Sequence, residues 1–278
     1  MRTGALTFKS ILGAAALALT LAPGAQADLL SDIKERGEFV AGTESRFPPF
    51  EFVEDGKIVG YSADIMTEIM KDLPGVDFRR LDLPWQGILS GLEAGKFDYV
   101  VTSVTITAER WDRYNMSRPI ADATMAVMKL KRTDGIESPE KIAGLAVGTQ
   151  AGTVHQATLE EYSKTLDTPI TIKTYVDYNE AYADLAAGRI QAVANSLPNL
   201  LEAQRARPEL FQVVDGTIGP KSYYGWVARK DADSASLAEF INAGLEKLQM
   251  NGKLAELQTK WFGAPMSLPE GAPQRPEH

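Results

Sequence analysis

Two hydrophobic periods alternate along this chain. Short continuous or alternating apolar runs read as strands, and apolar residues three and four apart read as helices. "EFVAGT" (38–43) predicts a strand, and "EFVEDGKIVGY" (51–61) a hairpin turning at Asp55-Gly56. Ile65, Met66, Ile69, Met70 and Leu73 recur at helical spacing behind Ser62, a candidate N-cap. A strand (76–83), a helix (85–95) and the strand "FDYVV" (97–101) follow, so the chain is expected to leave its sheet through Thr102. This rhythm predicts an α/β sheet with helices on its faces.

A second unit of the same kind begins after "ATMAVMKLKR" (123–132). Ser138 and Pro139 open a short helix. "LAVGT", "PITIKTY", "IQAVANS" and "LFQVVD" read as strands, with "VHQATLEEYSKTL", "YNEAYADLAAG" and "LPNLLEAQRAR" as the helices between them. "YYGWVARK" (223–230) is a last strand, and two helices broken near Asn251-Gly252 end the pattern. Crossings near 122–130 and 215–225 divide the chain into a first lobe (28–124 with 222–263) and a second (125–221) that face each other across a cleft. Ligands of such sheets sit at the carboxyl ends of the strands. The Pro-rich stretch 264–278 lacks periodicity and is expected to be disordered.

Residues 1–27 are of another kind. Arg2 and Lys9 precede an apolar run from Ile11 to Ala22 that is too short to span a bilayer, and "AQA" at 25–27 is a small-residue cleavage site. That order predicts a secretory signal peptide cut before Asp28, hence a periplasmic protein. With no cysteine in the chain, no lipoprotein anchor is expected.

The formal charge of −8 becomes −10 when Arg2 and Lys9 leave, because residues 1–27 hold no acid. An acidic chain without Lys/Arg clusters argues against nucleic-acid or anionic-membrane partners. The absence of cysteine removes disulfides, thiol nucleophiles and thiolate metal sites. His155 and the terminal His278 are the only histidines, too few for a His-based metal site or a triad. No cofactor, metal or catalytic group is expected.

The stretch "TSVTITAER" (102–110) is the candidate for chemistry. Thr107 resembles an N-cap, and Arg110 falls in the first turn behind it. A guanidinium beside a helix start suits a carboxylate, with Ser103 and Thr105 completing the shell. A surface salt bridge for Arg110 is the competing reading. Phe47 and Phe50 flank a Pro-Pro turn, Trp85 opens a helix, and Thr153 closes the strand-to-helix turn "GTQAGT". Each alone is an ordinary packed feature.

In combination the motifs become specific. "AGTESRFPPFEF", "GKIVGYSADIMTEI", "PWQGILSGLEAGKFDYVVTSVTITAERWDRYNMSRPI", "LAVGTQAGT", "AAGRIQAVANS" and "YYGWVARK" occur in this order. Over nearly all of residues 35–263 the chain resembles the family 3 solute-binding proteins of polar amino-acid ABC transporters, which have a type II two-lobe periplasmic-binding fold. The resemblance implies a monomeric receptor that captures a small solute by Venus-flytrap closure and offers it to a membrane permease. Carried onto this chain, it pairs Arg110 with a ligand α-carboxylate, aided by the backbone amides of Thr105 and Thr153. It turns the Ser103 carbonyl and Thr105 hydroxyl toward the ammonium, makes Phe47 and Trp85 the walls, and sets Glu44 against the ligand side chain.

One departure stands out. The family's second-lobe strand usually ends in an aspartate that meets the ammonium; here that position is Ser196, and the earlier acid of the segment is Gln191. Losing the acid removes a charge-assisted bond of roughly 1.5–3 kcal/mol. Three ligands remain open: an amino acid whose ammonium meets Glu44, Thr105 or Asn195; a derivative such as an opine or modified amine; or a carboxylate without an amine. A dehydratase-type enzyme on the same fold and a sensor for a chemoreceptor or kinase are the alternative functions.

Overall fold

The computed structural model describes Met1, residues 28–271 and residues 273–277, so the expected signal segment lies outside the described residues. The first lobe opens with α1 (Leu29–Arg36), capped by Asp28, whose carboxylate accepts from the Leu30 amide, and stopped by Gly37 in the left-handed region. No sequence expectation covered α1; at eight residues it shows little more than the Leu29–Ile33 pair as a periodic signal.

β1 (Glu38–Thr43) is followed by a small antiparallel sheet of β2 (Arg46–Phe47), β3 (Glu51–Glu54) and β4 (Lys57–Val59), whose turn at Asp55-Gly56 has positive φ at both residues. Then come α2 (Tyr61–Ile69), β5 (Asp77–Asp82), α3 (Trp85–Glu93), β6 (Tyr99–Thr105), α4 (Ala108–Arg113), β7 (Tyr114–Met116) and β8 (Ala121–Asp122). The second lobe holds β9 (Met125–Leu130), β10 (Ala146–Gln150), α5 (Val154–Ser163), β11 (Thr171–Tyr175), α6 (Tyr178–Ala186), β12 (Ala192–Ser196), α7 (Leu197–Ala206) and β13 (Phe211–Val213). β14 (Tyr223–Arg229), α8 (Ala235–Met250) and α9 (Lys253–Phe262) return to the first.

The two large sheets repeat one plan. The first runs β5-β1-β6-β14-β7, with β8 also on β14; the second runs β11-β10-β12-β9-β13. In each, three parallel strands are followed by an antiparallel one that has come from, or is going to, the other lobe. The chain passes between sheets at residues 123–124 and again between β13 and β14. The inner parallel strands β1, β6, β10 and β12 are almost wholly buried because helices cover both faces, whereas the outer strands β5 and β11 are polar and partly exposed.

Two sequence expectations are corrected. β6 does not end at Val101 but continues to Thr105, because β14 pairs with it as far as Tyr224↔Thr105. Thr102 and Ser103 are tolerated in a buried strand because both hydroxyls find partners: Thr102 Oγ1 accepts from the Glu44 amide at 3.3 Å, and Ser103 Oγ donates to Glu51. Ser62 is not an N-cap either. Gly60 occupies that position, and Ser62 instead donates to Glu51 Oε1 at 2.5 Å.

After Gly263 the described residues form no helix or strand, yet they lie on the first lobe rather than free of it. The Met266 amide donates to Gln258 Oε1 at 2.8 Å, and Arg275 grips Asp112 through two bonds of 2.8 and 2.7 Å.

Candidate functional site

The cleft between the lobes is built at the carboxyl ends of four parallel strands. Glu44 follows β1, Arg110 follows β6, Gln150 ends β10, and Ser196 ends β12. Seven of the eight residues expected at the site line one narrow cavity: Glu44, Phe47, Trp85, Ser103, Thr105, Arg110 and Thr153. Its free volume is about 20 Å³, the space of one water, so the lobes are closed on each other. The contacts that close them are specific. Trp85 Nε1 donates to Gly152 O at 3.0 Å, Gln86 Nε2 to Val176 O at 3.1 Å, and Asn199 Nδ2 to Pro48 O at 2.7 Å.

Arg110 is not in a surface salt bridge. Thr107 caps α4 by accepting from the Arg110 amide at 3.2 Å, which fixes the backbone and sends the side chain inward. Nη1 then donates to Thr105 O at 2.9 Å, and the guanidinium lies 5.2 Å from the Trp85 ring centre. Among the described residues no carboxylate pairs with it. Burial pushes its pKa down to about 10, which leaves it charged at neutral pH. A charged, desolvated guanidinium with open donors has the chemistry to receive an anion.

The other end of the cleft is acidic. Glu44 is 4 % exposed and accepts from Gln150 Nε2 across the cleft at 2.5 Å. Burial raises its pKa to about 7, partly offset by that bond. Behind the wall, Glu51 is 1 % exposed, and burial raises it to about 8. Phe47 stacks on Phe50 with ring centres 5.9 Å apart and meets Tyr178 of the second lobe at 5.7 Å. Thr153 caps α5, accepting from the Gln156 amide at 3.1 Å and donating to Gln150 O at 2.8 Å.

Ser196 is the expected residue that does not reach the cavity. It is fully buried, and its hydroxyl donates to Asn199 Oδ1. Asn195 is also committed elsewhere: Nδ2 donates to Tyr182 Oη at 3.0 Å and Oδ1 accepts from the Ser196 amide at 2.7 Å. Gln191 sits at the opposite end of β12, accepting from the Ala146 amide at 3.0 Å. His155 does line the cavity, but its Nε2 lies 3.0 Å from Ala123 O and must donate there. Burial drives its pKa down to about 4, so it is neutral.

Sequence reasoning missed Gln150, Tyr178, Tyr224 and Glu51. Gln150 sat inside the quoted "GTQAGT" as the last strand residue, the position from which a side chain can cross the cleft. Tyr178 and Tyr224 were legible only as core positions of a helix and a strand.

The family model of the bacterial extracellular solute-binding proteins, family 3, matches residues 39–264. The chain belongs to that family. Among curated relatives of this family 3 protein, the L-cystine-binding protein TcyJ of Escherichia coli (strain K12) is 29% identical over 270 residues, covering 95% of this chain and 98% of the relative. Among solved structures, an ancestral arginine-binding protein bound to arginine has a TM-score of 0.73 at 32% identity, covering 82% of this chain and 99% of the other. The ancestral amino acid-binding protein AncCDT-1, described as a precursor of cyclohexadienyl dehydratase, has a TM-score of 0.75 at 28% identity, with 84% and 99% covered.

Proposed function

We propose that this family 3 protein is an exported, monomeric receptor for an amino acid or a close derivative. It closes its two lobes on the ligand and delivers it to an ABC transporter permease in the inner membrane. The observation that carries this reading is Arg110: a charged guanidinium in the interlobe cleft, held by Thr105 O and Trp85, with no carboxylate of its own. It would take the ligand carboxylate, joined by the Thr105 and Thr153 amides, while Phe47 and Trp85 sandwich the ligand. Glu44 would meet a polar or cationic group at the opposite end. The names of relatives that bind cystine and arginine support an amino-acid ligand with a polar or charged side chain.

A thermal-shift panel of the mature chain (28–278) with L-cystine, L-arginine, L-histidine, opines and simple carboxylates tests the reading. A ligand that binds only the folded state raises the midpoint once it exceeds its dissociation constant. At least one amino acid or derivative is expected to do so. A response confined to carboxylates without an amine would overturn it. Incubation with prephenate is expected to give no multiple turnover; turnover would make the protein an enzyme.

A further inference from the structure

Glu51 is a buried carboxylate that the Arg110 grip does not use. It opens β3 and is surrounded by hydroxyls. Ser62 Oγ donates to Oε1 at 2.5 Å, Ser103 Oγ lies 3.1 Å from Oε1 and 3.4 Å from Oε2, and Thr102 Oγ1 lies 3.5 Å from Oε2. Ser103 is also a wall of the cleft, so one side chain separates the Glu51 charge from the cavity.

A carboxylate taken out of water is costly unless a cation compensates it. Among the described residues, the charged and titratable groups that bear on Glu51 place no cation in contact with it. Glu44, behind β1, has the same sign. Arg80, on β5, attracts Glu51 from a distance, but it spends Nη2 on Ile58 O at 2.6 Å and is not within ion-pair reach of the carboxylate. Tyr224, on β14, is held neutral by burial. Arg110 stands at the carboxylate end of the cleft, and Ser196 brings no acid from the second lobe.

Hydrogen-bond direction limits what can meet Ser103 in the cavity. A serine hydroxyl has one proton and two lone pairs. Once Glu51 is ionised its oxygens take the Ser103 proton, and Ser103 Oγ can then only accept from the cavity. An ammonium, which only donates, fits that surface; a carbonyl or ether does not.

We propose that Glu51, acting through Ser103, is the positioning residue that selects an amine-bearing ligand, supplying from the first lobe the negative charge that the second lobe lacks at Ser196. The proposal rests on the reading of Arg110 as the carboxylate grip. Replacing Glu51 by glutamine keeps the shape but supplies an amide that can donate, freeing Ser103 to turn its proton toward the ligand. Selectivity for the amine is then lost without loss of the carboxylate grip.

The test is calorimetry on the mature chain with L-arginine and L-cystine against their Nα-acetylated forms. Wild type is expected to prefer the free amines by at least about tenfold, the size of one charge-assisted bond. Glu51→Gln and Ser103→Ala are each expected to shrink that preference about tenfold, the free amines losing affinity by a larger factor than the acetylated forms. A merely structural role would weaken both forms together. The free-amine affinity of wild type should also rise from pH 6 to 8.5, and rise less in Glu51→Gln, with Glu44→Gln measured alongside to remove its share. Should Glu51→Gln fail to fold, Ser103→Ala carries the same prediction. An undiminished preference in a folded variant overturns the role of Glu51, while loss of all binding in Arg110→Ala keeps the carboxylate reading. Wild type that binds neither free amino acid overturns both.

Discussion

Gln150 Nε2, at the end of the second lobe's β10, donates to Glu44 Oε1 of the first lobe at 2.5 Å, with Val176 O accepting from the same nitrogen at 3.1 Å. Because both residues are at most 4 % exposed, this bond is part of the closed form rather than of the surface. A hydrogen bond to a charged partner is worth about 1.5–3 kcal/mol. Gln150→Leu should therefore weaken ligand binding by roughly ten- to a hundredfold and enlarge the radius of gyration seen by small-angle scattering. Unchanged affinity and scattering would make the contact incidental.

The buried acids set a pH dependence with a definite sign. Glu44 is raised from 4.5 to about 7 and Glu51 from 4.5 to about 8, so the folded state holds protons that the unfolded state has released. Stability is fully present below pH 4.5 as far as these two groups are concerned, and is lost as pH rises through 7 and 8. The shifts correspond to losses on the order of 3 kcal/mol for Glu44 and about 5 kcal/mol for Glu51. Urea titrations of the ligand-free chain at pH 5.5 and 8.5 should show the decline, and Glu51→Gln should flatten it. Equal stability in the variant and wild type at both pH values would contradict the burial of an ionisable Glu51.

Trp85 carries two roles that one substitution separates. Its ring lies under Arg110, and its Nε1 holds Gly152 O at 3.0 Å across the cleft. Trp85→Phe keeps an aromatic face but drops the interlobe bond, so ligand affinity should fall by roughly 0.5–1.5 kcal/mol with little change in melting temperature. A large fall in melting temperature would mean that the residue serves the first lobe's core instead.

Gly60 is required by space and by backbone. Its φ is +119°, and an added Cβ would stand 2.3 Å from Phe50 O. Gly60→Ala should destabilise the chain by several kcal/mol, on the order of the large backbone effects. Thermal denaturation reads this directly, and an unchanged midpoint would show that the β4–α2 junction relaxes freely.

Most of the architecture was legible because the longer elements have their own local period. β1, β5 and the α8–α9 break fall within two residues of where apolar spacing, Gly and Asn place them. β6 was cut short because Thr102, Ser103 and Thr105 read as loop, and only their partners Glu51, Glu44 and β14, all distant in sequence, keep them in the sheet. The site divides in the same way. Arg110, Trp85 and Phe47 stand at element ends, where a side chain's exit is predictable. Ser196 also stands at a strand end, yet its hydroxyl turns to Asn199, a contact within the first turn of α7 that strand position alone cannot foretell.

The claim on which the rest depends is that Arg110 grips a ligand carboxylate. Calorimetry of wild type and Arg110→Ala, with whichever amino acid the panel identifies and with its carboxamide, measures this directly. Arg110→Ala is expected to stay folded and lose roughly 3–5 kcal/mol of binding, and the carboxamide to bind wild type about as poorly. Near-unchanged affinity in Arg110→Ala, or equal binding of the carboxamide to wild type, would contradict it.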